Sequence, residues 1–139
     1  MVETPFTLPE EFEAKLNLMG LELKTLIKKT WKDRMEVVDF YKQIDIQVVW
    51  RPNSDGILRN PLKLINAMSF GVPTVAYQET DFVEELDGYF LPATNIENLI
   101  EKINDWVKAP ELHERMSRKW ITKAEEYHID NISKLYLKL

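Results

Sequence analysis

Three cations and several small polar residues crowd one short stretch of this 139-residue chain: Arg51 and Arg59 within RPNSDGILRN, and Lys63 shortly after it. Between them stands Asn60-Pro61, which reads as the N-cap and first position of a helix, LKLINAMSF, that closes at Gly71. A helix start offers N–H groups without intrahelical acceptors and about half a positive charge, which suits a phosphate or diphosphate. Lys63 in the first turn opposes the helix dipole by roughly 0.3–1 kcal/mol, and a bound anion relieves that opposition. Taken alone, Arg51, Arg59 and Lys63 read first as solvated surface charges, because long basic side chains reach water from almost anywhere. Asp55, followed by Gly56, likewise reads as a turn former before it reads as a catalytic acid.

Composition removes other chemistries. There is no cysteine, hence no disulfide, thiolate nucleophile or Cys-ligated zinc. The two histidines, His113 and His128, lie apart in a helical tail, so no metal site is expected. A net charge of −5 argues against nucleic acid as a partner. The start MVETPFTLPEEFEAK lacks the basic and apolar regions of a signal peptide, and no apolar run is long enough to span a bilayer. A soluble, cytoplasmic chain is the expectation, and its length suits one α/β domain over 1–139, with a lead-in over 1–12 and C-terminal helices over 111–139.

The elements that must position the cations follow from periodicity. EAKLNLMG alternates Ala14, Leu16 and Leu18 with Lys15, Asn17 and Met19, which predicts a strand ended by Gly20. LKTLIKKTW reads as a second strand, although its lysines also permit a helix. Asp33 caps a helix carrying Val37, Phe40, Tyr41 and Ile44, with Glu36 completing the cap. IDIQVVWRP supplies Ile46, Val48, Val49 and Trp50, a run typical of a strand covered on both faces, and Pro52 ends it. After the helix at Pro61 come a strand in VPTVAY, a short capped helix in TDFVEELDG and a strand in GYFLPA. Thr94 to Glu97 forms a capping box for a helix with Ile96, Leu99, Ile100, Ile103, Trp106 and Val107 on one face, ended by Pro110. Leu112, Met116, Trp120, Ala124 and Tyr127 continue a helical stripe, and Ile132, Leu135, Tyr136 and Leu139 suggest a last short helix. Alternation of strand and helix implies a parallel sheet flanked by helices, with ligands beyond the C-terminal ends of the strands. RPNSDGILRN occupies that place. Flavodoxin-like and receiver-like readings fit less well, because LMGLELKT is no phosphate-cradling glycine loop and Asp45 begins its strand instead of ending it.

NPLKLINAMSFGVPTVAY resembles the P-x-K-x-x-E-A-x-x-x-G-x-P-x-V segment of GT-B glycosyltransferases of the glycosyltransferase 4-like group, through Pro61, Lys63, Ala67, Gly71, Pro73 and Val75. The resemblance extends in order over residues 33 to 127, taking in FYKQIDIQVVWRP and GYFLPATNIENLIEKINDWV. It implies a Rossmann-like lobe that holds a nucleoside diphosphate sugar, while a separate acceptor-binding lobe lies on an N-terminal segment or another chain. No further cofactor is implied. Many members carry two glutamates eight positions apart, and these positions are Leu58 and Asn66 here. Asn66 retains hydrogen bonding toward a ribose diol without a carboxylate's charge, which implies weaker donor binding, and Leu58 contributes none. The resemblance thus points to Arg51, Ser54, Asp55, Arg59, Asn60, Lys63 and Asn66 as donor and diphosphate contacts, with no catalytic residue assigned. The isolated lobe is expected to bind donor and transfer little, the full-length enzyme working in the cytoplasm or at a membrane surface. The alternative is a non-enzymatic interaction module derived from the same lobe, and an unrelated α/β enzyme such as a nucleotide-sugar epimerase is a further one.

Overall fold

A computed structural model describes residues 8–24, 31–52 and 61–138. The elements run α1 (Glu10–Leu18), α2 (Arg34–Tyr41), β1 (Gln47–Val49), α3 (Leu62–Ser69), β2 (Thr74–Tyr77), α4 (Thr80–Leu86), β3 (Leu91–Ala93), α5 (Ile96–Val107), α6 (Pro110–Glu125) and α7 (Ile129–Leu137). The strands pair in parallel in the order β1-β2-β3, with Val48 opposite Val75 and Val75 opposite Leu91. The architecture is a Rossmann-like α/β lobe, as the alternating pattern implies.

Both faces of the sheet are covered, which is why the strands read as continuous apolar runs instead of alternating ones. Val49 and Ala76 enter one core with Leu64 and Met68 of α3, Phe82 and Leu86 of α4, and Trp120 of α6. Their neighbours Val48 and Val75 enter the other with Phe12 and Leu16 of α1 and Leu99 and Ile103 of α5. A smaller cluster seats α2, where Tyr41 stacks on Phe70 with ring centroids 5.1 Å apart. Burial pushes the Tyr41 hydroxyl pKa up to about 12, so it stays neutral across the physiological range.

The expected strand in EAKLNLMG is instead α1. Alternation over so short a window competes with the i, i+4 pair Phe12 and Leu16, and both of those are buried while Leu18 is 88% exposed. Glu10, Glu11 and Glu13 in the first turn favour the helix by facing its positive end. Most of the second expected strand, in LKTLIKKTW, lies outside the described residues. The cap at Asp33 forms: its carboxylate accepts from Glu36 N–H at 3.0 Å, and Glu36 accepts in turn from Lys32 N–H.

The cap of α5 sits one residue later than the capping box predicts. Asn95, not Thr94, accepts from the Asn98 N–H at 2.8 Å, and the Asn98 side chain accepts from Thr94 N–H at 3.2 Å. An amide thus does at both ends what a hydroxyl and carboxylate were expected to do. The short helix α4 starts after Glu79 without a side-chain capping bond. Pro110 does not only stop α5; it occupies the first turn of α6, where its missing N–H is harmless. Val107 and Leu112, both assigned to apolar stripes, are more than a third exposed, and α7 buries none of its side chains.

Helix α6 and the turn that follows it tie the lobe together. The Ser117 hydroxyl donates to the Gly71 carbonyl at 2.9 Å, Lys119 Nζ donates to the Gly88 carbonyl at 3.2 Å, and the Tyr127 hydroxyl donates to Glu85. Burial first, and then the bonded carboxylate, raise the Tyr127 pKa. At the helix start, the Trp106 ring stacks between His113 and Trp120 at 4.5 and 5.2 Å. At the far side of the sheet, Ala93 C=O accepts from Gln78 N–H, which turns the intervening exposed Pro92 outward on β3.

Gly71 closes α3 with φ at +68°, and a Cβ placed there falls 2.0 Å from Ser117 Oγ. Gly71→Ala is therefore expected to lose about 1–2 kcal/mol to backbone strain and a further ~1–3 kcal/mol to displacement of α6. Urea midpoints will check this, and adding Ser117→Ala should recover most of the second part, less about 0.5–1.5 kcal/mol for the lost hydroxyl bond to the Gly71 carbonyl. Asn95→Ala is expected to lose about 0.5–2 kcal/mol in thermal melts while Thr94→Ala stays near neutral, and the reverse order would refute the cap assigned to Asn95.

Candidate functional site

The C-terminal end of β1 leads into the stretch singled out by its cations. Trp50 is buried there edge-on to Tyr77, with centroids 5.4 Å apart, which pins the exits of β1 and β2 together. Arg51 and Pro52 follow, both half-buried, and the described chain resumes at Pro61. Ser54, Asp55, Leu58, Arg59 and Asn60 lie outside the described residues.

Helix α3 begins at Leu62 with Pro61 in the cap position, one residue later than a proline at the first helical position predicts. Its first intrahelical bond runs from Ile65 N–H to Pro61 C=O at 3.0 Å, so the amides ahead of it must find acceptors outside the helix. Leu64, Ala67 and Met68 face the core. That leaves Lys63 and Asn66, three residues apart and both half-buried, as neighbours on the flank of the helix. Burial lowers the Lys63 pKa from its ordinary value of 10.5, because the ammonium is partly withdrawn from water.

One contributor escaped the sequence reading. Gln47 is fully buried in β1, and its Nε2 donates to the Lys63 carbonyl at 3.3 Å. Its backbone N–H also donates to Pro73 C=O at 2.8 Å, so the same residue meets the chain entering β2. The signal was present: Gln47 interrupts the otherwise apolar run from Ile46 to Trp50. Its Oε1, and the Oγ1 of its register partner Thr74, find no hydrogen-bond partner among the described residues.

A cleft of about 380 Å³ opens at the same end of the sheet, between Trp50 and Pro52, the α5 start at Asn95 and Glu97, and Glu11 and Lys15 of α1. Among the described residues no group of three or more His, Cys, Asp or Glu side chains converges as a metal site, and no helix is long and apolar enough to cross a membrane. What the arrangement offers is a helix start with a desolvated lysine in its first turn and an arginine on the adjoining strand exit. In general, helix starts and cationic side chains of this kind are the chemistry that suits an anion.

The family model for glycosyl transferases group 1 matches residues 9–123. The chain is also 30% identical over 104 residues to an uncharacterized glycosyltransferase of Haemophilus influenzae, an alignment that covers 71% of this chain and 29% of that protein. The chain thus spans less than a third of the length of this relative. No solved structure matches the chain significantly. With a match across most of its length, including all of β1, α3 and β2, the chain belongs to the glycosyl transferases group 1 family.

Proposed function

We propose that this chain is the donor-binding lobe of a glycosyltransferase, with the diphosphate of a nucleoside diphosphate sugar held at the start of α3. The observation that carries this reading is Lys63: a half-buried, desolvated ammonium in the first helical turn, beyond the C-terminal end of β1. Membership of a sugar-transferring family supplies the reaction class. Transfer breaks the bond between the anomeric carbon and the diphosphate oxygen and forms one to an acceptor hydroxyl. Negative charge then grows on the departing diphosphate, where Lys63, Arg51 and the helix dipole stabilise it. Ser54, Asp55, Arg59 and Asn60 are assigned to the same donor by their place between β1 and α3. Asn66, one turn deeper than Lys63, is assigned to the ribose hydroxyls.

The acceptor lobe belongs to a segment or chain beyond these residues. This chain alone is therefore expected to bind donor without appreciable transfer, since positioning of both substrates carries most of the rate. The second reading, an interaction module that kept the shape and lost the chemistry, draws support from Leu58 and Asn66 standing where many relatives have glutamates.

Thermal shift and calorimetry with UDP, GDP and ADP test the two readings. Stabilisation by at least one nucleotide, weakened roughly tenfold by Lys63→Ala, is expected for the donor lobe. Absence of a response to all three would favour the interaction module. The pH dependence has a definite sign. A bound diphosphate raises the Lys63 pKa, so binding takes up a proton, and affinity should fall as pH rises through the lowered free value, below 10.5. In Lys63→Ala that part of the pH profile should flatten.

A further inference from the structure

We infer that Gln47 is a positioning residue for the anion site: its buried side chain holds the first turn of α3, and with it Lys63, at a set height over β1. The inference deepens the donor-lobe reading and rests on it for its consequence in binding.

The case begins from an anomaly of cost. Every residue of β1 is buried, and its neighbours Val48 and Val49 are apolar, yet the chain places a primary amide there with no exposure to solvent. Burying an amide is unfavourable unless its groups are hydrogen-bonded, and here only the Nε2 end has a partner among the described residues. A methionine or leucine would pack the same space without leaving Oε1 unsatisfied. Core packing alone therefore does not explain Gln47.

Its side-chain bond to α3 explains it better. Nε2 reaches a main-chain carbonyl sixteen positions away, that of Lys63, in the first turn of α3. Because a carbonyl can only accept, the amide end facing it is fixed, and the helix start is tied in both rotation and height. Helix starts fray, and this one has no side-chain cap from Pro61. The far end of α3 is held separately, by Ser117 on the Gly71 carbonyl. Gln47 thus restrains the end that carries Lys63 and Asn66, and its backbone bond to Pro73 seats the restraint on the entry to β2. The restrained turn loses less freedom when a diphosphate docks, which is the form in which a buried tether raises affinity.

The test uses Gln47→Met, alone and combined with Lys63→Ala, in the full 139-residue chain. The expected result has three parts. The melting temperature stays level or rises, since an unsatisfied acceptor has gone. Amide hydrogen exchange quickens at Ile65 and Asn66 and not in β2 or α5. Affinity for the nucleotide that binds best among UDP, GDP and ADP weakens roughly five- to tenfold with Lys63 present and by distinctly less in the Lys63→Ala background. Equal losses in both backgrounds, or no loss in either, would overturn the inference, because a merely structural residue has no reason to act through Lys63. If the parent chain binds none of the three nucleotides, the donor reading is what fails. Exchange at Ile65 and Asn66 then decides on Gln47 by itself, and rates equal to the parent's would overturn the tether.

Discussion

The close approach of α6 to the end of α3 is the constraint on which the rest of the lobe depends. At Gly71 the main chain turns through a left-handed conformation and runs directly under Ser117, leaving no room for a side chain. This contact fixes where α3 ends and where β2 begins, and so the register of the β1–β2 pair. It also sets how far Leu64 and Met68 reach toward Trp120 and Phe82. Lys119 and Tyr127 extend the same seam to the turn before β3 and to α4. Most of these bonds are individually modest, but they act on turns, where a small displacement moves a whole strand or helix.

From this frame follows a division of labour within the segment that identifies the family. Ala67, Pro73 and Val75 are buried, and Gly71 is demanded by α6, so much of the recognisable pattern records how α3 and β2 pack. Lys63 differs in kind: it is a half-buried cation in the first turn of α3, whose pKa burial lowers. A family resemblance built largely from packing residues transmits fold with more force than it transmits chemistry. Asn66, at the position where the resemblance places a glutamate in many members, lies within α3 without interrupting it.

How legible each part was depended on the range of the interaction that made it. The two-faced strands around Val48 and Val75 and the helix of Leu99 and Ile103 were readable because their burial repeats with the period of the element itself. α1 was misread because eight residues hold two competing periods, and only the cores formed by distant segments decide between them. The α5 cap shifted by one residue because Asn95 and Thr94 are both competent cap formers, so local preference does not separate them. Arg51 and Lys63 could be named from their place beside a helix start. The desolvation of Lys63 and the reach of Gln47 to its carbonyl were invisible, since both arise when segments sixteen residues apart are brought into one core.

Pro92 bears on how this sheet meets other chains. The middle of β3 directs outward a residue with no N–H, so a strand approaching that side meets a carbonyl but lacks the alternating donor that would let a ladder propagate. Three residues are too few to offer a second attachment around it. Among the described residues β3 is the outermost strand on that side, so a single ring hinders templated growth along that flank of the sheet.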